Sequence, residues 1–262
     1  MRMVSGRIGR VCLVGAGPGD PDLITVKGLR ALRSAQVVVY DRLVAARLLD
    51  EAPPEAERIH VGKRGGHYSF PQEQIHRLLA ERARRGLDVV RLKGGDPFLF
   101  GRGGEEVHYL REQGIPCEVI PGVSSALAAP AAAGIPVTHR GTASSVAIVS
   151  GHQMNDPENP LDWSGLACGA DTLVIMMPIG NLRSIVSRLI VHGRSFTTPA
   201  AVIESATTPQ QRVAVATLRE IVPLAEQMGL GSPALLVVGE VVRMARTETV
   251  ARVAAAVQAG TA

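Results

Sequence analysis

Between residues 11 and 120 the sequence alternates short apolar runs with stretches of helical periodicity, and that rhythm constrains the fold more than any other feature. Residues 11–14, 37–40, 58–61, 88–92 and 117–120 are too short for core helices and are bounded by glycine or charge. They read as buried strands. Helical spacing fills the gaps at residues 23–35, 43–51 and 105–113. A further helix opens near Ser69 and Gln72, at capping-box spacing, carries Ile75, Leu78 and Leu79 on one face, and stops at Gly86. Strands and helices in this alternation predict a parallel sheet, with ligand loops at the carboxyl ends of its strands.

Those strand ends collect glycine and charge. Gly15-Ala16-Gly17-Pro18-Gly19-Asp20 follows the first run, Asp41 the second, Gly62-Lys63-Arg64 the third and Lys93-Gly94-Gly95-Asp96 the fourth. The last continues through Gly101, Arg102, Gly103 and Gly104 to Glu105 and Glu106. So many glycines at one strand end point to a ligand lying against the backbone, where a Cβ would block it. The first loop reads GxGxG, and Pro18 and Pro21 oppose immediate helix formation, which disfavours a dinucleotide turn and an NAD-dependent oxidoreductase. Asp41 and Lys63 are an acid and a base fit for proton handling, or else a cap and a surface ion pair. Asp96 can accept from amides or a ribose. Arg102 and Glu105, three apart at a helix start, share one face. Arg102 there either binds a ligand carboxylate through its fork or pairs with Glu105.

Composition shifts at residues 134–143, and a second series of strands follows at residues 146–149, 172–177, 200–204, 212–217 and 234–238. Helical stretches stand at residues 124–133, 182–192 and 218–228. The short polar link at residues 205–211 predicts a hairpin, hence a mixed sheet. Two α/β domains are expected, residues 1–138 and 139–262. Residues 155–163 read as a surface loop and the alanine-rich tail from Ala251 as a frayed helix. Aromatics are only 3% of the 262 residues, too few for a nucleic-acid stacking platform. The net charge of +4 is spread over arginines such as Arg30, Arg42, Arg64, Arg82, Arg102, Arg140 and Arg212, which suits an acidic small molecule better than nucleic acid. Cys12, Cys117 and Cys168 are far apart and form no zinc-ligand spacing, so no metal is expected. No apolar run reaches the roughly 18 residues of a membrane span and no leader pattern is visible, so a cytoplasmic protein is expected.

From Val11 to Met244 the chain resembles the tetrapyrrole methylase family, and within it the uroporphyrinogen-III C-methyltransferases. The resemblance rests on the first glycine loop, Tyr40-Asp41-Arg42-Leu43-Val44, Val61-Gly62-Lys63-Arg64 and the run from Lys93 to Glu106. Pro121-Gly122-Val123-Ser124-Ser125, Gly134-Ile135-Pro136-Val137-Thr138-His139-Arg140 and Thr207-Thr208-Pro209-Gln210-Gln211-Arg212 continue it in the family's order. It implies two α/β domains with the active site in the cleft between them, and a homodimer. It also implies S-adenosylmethionine as methyl donor and uroporphyrinogen III as acceptor, methylated twice, at C2 and C7, to precorrin-2. By position, Pro18, Gly94, Gly95, Asp96, Leu99, Ser124, Ser125, Met177 and Ala206 would line the donor site. Asp41 would accept a proton, Lys63 would donate one, and Arg102, Glu105 and Met177 would face the acceptor. Arg102 is also a candidate base, but an arginine holds its proton too tightly, which favours a carboxylate anchor. A methylase acting on a later precorrin and a non-catalytic binding module are the alternatives. The chain departs from the family at Met177-Pro178, Ser205-Ala206 and Gly141-Thr142, where glycine, Asn-Gly and an acid with an aromatic are usual.

Overall fold

A computed structural model describes residues 7–62, 71–152, 160–246 and 250–251. The chain divides into two compact units, Met1–Ser124 and Ser125–Ala262. In the first, β1 (Val11–Gly15), β2 (Val37–Tyr40), β3 (Glu57–His60), β4 (Val89–Lys93) and β5 (Cys117–Ile120) form a sheet in the order β3-β2-β4-β1-β5, with every neighbouring pair parallel. Helices α1 (Val26–Arg33), α2 (Ala46–Leu49), α3 (Gln72–Arg84) and α4 (Gly103–Glu112) cover it. Alternation along the strands decides which helices each residue meets. Val11, Leu13, Val37, Val39 and Val89 cluster with Ile75 and Leu79 of α3 and with Val107 and Leu110 of α4. Cys12, Val14, Val38, Val90 and Leu92 cluster with Leu32 of α1 and Leu48 of α2. Both faces are therefore covered, which is why these strands read as continuous apolar runs. Each such side chain contributes about 1.5–3 kcal/mol when fully buried.

Helix starts differ from the periodicity. The Thr25 hydroxyl accepts from the Gly28 amide at 3.1 Å, so α1 begins at Val26 and Pro21–Leu23 forms a separate 3₁₀ turn. α2 is only one turn long. Pro71 precedes α3 without a side-chain cap, Ser69 lies outside the described residues, and Gln72 turns its amide toward Glu106 and His76.

In the second unit α5 (Ser125–Ala132) precedes β6 (Val146–Ser150), α6 (Trp163–Gly169), β7 (Thr172–Met176) and α7 (Leu182–Val191). Then come β8 (Pro199–Glu204), β9 (Arg212–Thr217), α8 (Ile221–Gln227), β10 (Ala234–Val238) and β11 (Val250–Ala251). The sheet order is β11-β9-β8-β10-β7-β6. The pairs β6–β7 and β9–β11 are parallel and the rest antiparallel, so the sheet is mixed and β8–β9 is the expected hairpin. Two expectations are corrected. Trp163 does not end a surface loop: it is buried and begins α6, with the Asp162 carboxylate accepting from the Gly165 amide at 3.0 Å. Ala251, the first residue of the tail, ends an edge strand (Val250–Ala251) and is not helical, while the rest of the tail lies outside the described residues.

Asp171, just before β7, carries a testable pH dependence. Its Oδ2 accepts from the Ser144 and Ser145 amides at 2.8 and 3.0 Å and from their hydroxyls at 3.1 and 2.9 Å. These bonds, the Ser144 amide first, hold its carboxyl down to about 2 from the usual 3.8. A depressed carboxyl stabilises the fold above its ordinary value and loses that contribution as pH falls through its folded value. Asp171→Asn should therefore lower the urea midpoint at neutral pH, with the gap from the unsubstituted protein closing between about pH 4 and pH 2. A gap that does not change with pH in urea titrations would refute this origin.

Candidate functional site

β1 and β4 are neighbours, and the loops that leave them are joined by main-chain bonds. Ala16 N donates to Lys93 O at 2.7 Å, Gly95 N to Gly17 O at 2.7 Å, and Gly17 N to Gly95 O at 3.3 Å. Asp96 ties in the third loop. Its Oδ1 accepts from Phe98 N at 2.8 Å and its Oδ2 from Gly122 N, just beyond β5, at 3.0 Å. The carboxylate thus serves backbone amides of its own unit.

The glycines divide into two kinds. A Cβ on Gly15 would stand 2.5 Å from the Gly122 Cα, and one on Gly103 would stand 2.4 Å from the Pro97 carbonyl oxygen. These two let the loops of the unit touch each other, so the reading that only a ligand demands such glycines is corrected. Gly94 is different. The atom nearest to its missing Cβ is the Leu43 Cβ at 3.3 Å, and Leu43 is exposed. Gly94 therefore leaves backbone accessible that the packing of its own loop does not need. Leu99 follows in the same loop and Pro18 follows Gly17, the main-chain partner of Gly95; both are half-buried, while Phe98 and Phe100 are exposed. Phe100 and Arg102 both have left-handed backbone, φ 51° and 58°. Side chains pay about 1–3 kcal/mol for such conformations, which concentrate at functional sites.

Asp41 follows β2 and its amide donates to Leu92 O at 3.3 Å, placing it beside the Lys93–Gly94 turn. Strand alternation puts Val89, Arg91 and Lys93 on the α3–α4 face, and there the layer turns from apolar to charged. Arg91, 2% exposed, donates from Nη2 to Asp41 Oδ1 at 2.5 Å and from Nε to Glu106 Oε1 at 3.2 Å. Lys93 Nζ donates to the same Glu106 oxygen at 2.9 Å, and Gln72 Nε2 donates to it at 3.0 Å. Glu106, on α4, is fully buried, and its Oε2 has no hydrogen-bond partner among the described residues. The electrostatics follow from two cations sharing one buried anion. Burial pushes the Glu106 carboxyl up, but Arg91 and Lys93 more than offset this and leave it below its ordinary value. Burial and the Arg91 charge hold the Lys93 ammonium below its usual value.

Arg102 and Glu105 adopt the mutual arrangement that their spacing allowed. Arg102 Nε and Nη2 donate to the two Glu105 oxygens at 2.8 and 2.6 Å, with the arginine side chain 56% exposed. Two of the arginines named as candidates for an acidic ligand are committed elsewhere. Arg82 is bidentate to Glu57, and Arg212 bonds Glu204 and the Met228 and Gly229 carbonyls. Lys63 and Arg64 lie outside the described residues. Ser124 closes the first unit and Ser125 opens α5 in the second, both half-buried.

In the second unit Met177 and Ala206 follow β7 and β8. Leu235 of β10 pairs with both Met176 and Ile203, so the carboxyl ends of β7 and β8 flank it at one edge of the sheet. The turns there bring exposed Met177 (φ 54°) and half-buried Ser205 (φ 47°) and Thr207 (φ 64°) into left-handed backbone. At Ser205 asparagine would adopt this conformation more readily. Gln211 Oε1, accepting from the Thr207 amide at 2.8 Å, and the Thr208 hydroxyl, donating to Ser205 O at 2.7 Å, hold the β8–β9 turn in place.

Arg91, Lys93 and Glu106 escaped the sequence reading. The signal was present: two cations spaced by two on a central parallel strand must share one covered face, and Glu106 lies one helical turn before the core residue Leu110.

The family model for Tetrapyrrole (Corrin/Porphyrin) Methylases matches residues 10–222. A uroporphyrinogen-III C-methyltransferase of Methanocaldococcus jannaschii is 53% identical over 238 residues, 90% of this chain and 98% of that one. A siroheme synthase of Azotobacter vinelandii is 52% identical over 237 residues, and the chain spans about half (51%) of its length. Among solved structures, the Thermus thermophilus uroporphyrin-III C-methyl transferase complexed with S-adenyl homocysteine gives a TM-score of 0.77 at 46% identity, covering 90% of this chain and 99% of that one. A cobalt precorrin-4 methyltransferase gives a TM-score of 0.78 at 29% identity, covering 89% and 95%. The match over most of its length makes this chain a member of the tetrapyrrole methylase family.

Proposed function

We propose that the chain is an S-adenosylmethionine-dependent methyltransferase that methylates uroporphyrinogen III at C2 and then C7, giving precorrin-2, the branch compound for sirohaem and cobalamin. The observation that carries the reading is the pairing of an accessible glycine backbone at Gly94 with a carboxylate, Asp41, at the adjacent strand end. Backbone similarity alone does not separate this acceptor from a later precorrin, since the two TM-scores are 0.77 and 0.78. Identity does favour it, at 53% and 46% against 29%.

When bound, the donor supplies an electrophilic methyl on sulfonium, which an electron-rich pyrrole carbon attacks without a protein nucleophile. The protein's share is alignment, on the order of 7–11 kcal/mol in favourable cases, and proton handling. Asp41 accepts the proton that the methylated macrocycle must lose. Arg102 anchors an acceptor carboxylate by exchanging it for Glu105, a trade of one bidentate partner for another at an exposed position. Gly94 gives the donor its approach, with Pro18, Gly95, Asp96, Leu99 and Ser124 as the remaining donor contacts of the first unit, and Ser125, Met177 and Ala206 are retained as donor contacts on the resemblance alone. Lys63 is retained as proton donor on the resemblance alone. A homodimer in the cytoplasm belongs to the same reading; among the described residues no helix is long and apolar enough to cross a membrane.

Transfer of labelled methyl from S-adenosylmethionine to uroporphyrinogen III, compared with a later precorrin as acceptor, tests the assignment. Preference for the later precorrin would overturn it in favour of the related methylase, and no transfer to either would leave a binding protein. Gly94→Val tests the donor contact. Titration calorimetry should show affinity for S-adenosylhomocysteine falling by at least about tenfold, a loss of roughly 1.4 kcal/mol, with the melting temperature little changed because Leu43 can shift. Unaltered affinity would remove Gly94 from the donor site.

A further inference from the structure

We propose that Arg91 is the positioning residue for Asp41, an inference that rests on the proton-acceptor reading of Asp41 and deepens it. The carboxylate side chain is 30% exposed, and Arg91 holds one of its oxygens, Oδ1, at 2.5 Å. Oδ2 accepts no hydrogen bond among the described residues, so it is the oxygen left for a substrate proton. A single donor on a carboxylate leaves it free to swing unless the donor itself cannot move. Arg91 cannot. Its Nε is held by Glu106 Oε1 at 3.2 Å, and its Nη1 donates to the Val39 and Leu92 carbonyls at 3.4 Å. Those two carbonyls belong to β2 and β4, the strands whose ends carry Asp41 and Gly94. The guanidinium thus measures the position of Asp41 from the same strand pair that positions the donor loop.

Charge balance points the same way. Arg91 and Lys93 are both buried, and Glu106 is, among the described residues, the one fully buried acid in contact with them. Asp41 is the second acid in contact with Arg91, so among the described residues two acidic side chains meet two basic ones in this layer. Lysine at position 91 would keep the charge but lose the planar fork that reaches Asp41 and Glu106 at once.

A double-mutant cycle with Asp41→Asn and Arg91→Gln tests this, reading kcat and KM for uroporphyrinogen III together with calorimetric affinity for S-adenosylhomocysteine. Arg91→Gln alone should lower kcat by about 10- to 100-fold with KM and donor affinity little changed. In the Asp41→Asn background the same change should cost less than about threefold, because groups acting as a unit are not additive. Additive losses, or a loss confined to KM or donor affinity, would show Arg91 to be merely structural and overturn the proposal. If Asp41→Asn alone leaves kcat unchanged, it is the proton-acceptor reading that fails. If Arg91→Gln does not give folded protein, the cycle is run with Arg91→Lys, for which the same pattern is expected and additivity is again the contrary result.

Discussion

Asp41→Asn is expected to lower kcat by roughly a hundred- to ten-thousand-fold, the range lost when a positioned proton-transfer group is removed. Affinity for S-adenosylhomocysteine should hardly change, because Asp41 stands on β2's end and the candidate donor contacts of the first unit stand on the loops after β1, β4 and β5. Asparagine keeps the shape and can still accept the Arg91 bond through its carbonyl oxygen. What it removes is the capacity to take up a proton. Steady-state rates with uroporphyrinogen III, beside donor calorimetry, check both halves. A rate within about threefold of the unsubstituted protein would move the base to another group.

Glu106→Ala should have the largest effect on stability, about 3–5 kcal/mol, because it leaves two buried cations without their shared anion. Arg91 is 2% exposed and Lys93 3%. The control is Glu73→Ala on α3, which breaks an exposed i,i+4 pair with Arg77 at 3.3 Å and should cost under about 1 kcal/mol. Urea unfolding of both variants makes the comparison. The pH sign is also fixed: the Glu106 carboxyl lies below its usual value of 4.5, so its stabilisation is present above that pH and is lost as acid protonates it in the fold. Glu106→Ala no more costly than Glu73→Ala would show that water, not Glu106, balances the two cations.

The first sheet was legible because its residues obey one rule at a time. Val11–Gly15 and Val37–Tyr40 are short, apolar and stopped by glycine or charge, and the structure places both in a parallel sheet. The hairpin β8–β9 was legible from its short polar link for the same reason. Trp163 was not, because prolines and asparagines before it hide a helix that is one residue away and is held by a cap at Asp162. The glycine loop was half legible. Glycine density marked the place, but a sequence cannot tell Gly103, pressed against the Pro97 main chain, from Gly94, whose nearest neighbour is the exposed Leu43 side chain. The charged layer beneath was missed for a physical reason. Taken singly, Arg91 and Lys93 look like solvated strand residues, and only the sheet order, with β4 between β2 and β1, puts them indoors. Likewise Glu105 drew attention as the partner of Arg102, while its neighbour Glu106, one step round the helix, holds the interior together.

The number of methyl groups transferred to each uroporphyrinogen III macrocycle, counted by mass at completion with excess S-adenosylmethionine, is the most direct test. Two methyl groups per macrocycle are expected, with a one-methyl species appearing first and then consumed. A product that stops at one methyl group, or an acceptor recovered unchanged while the protein still binds S-adenosylhomocysteine, would contradict the assignment.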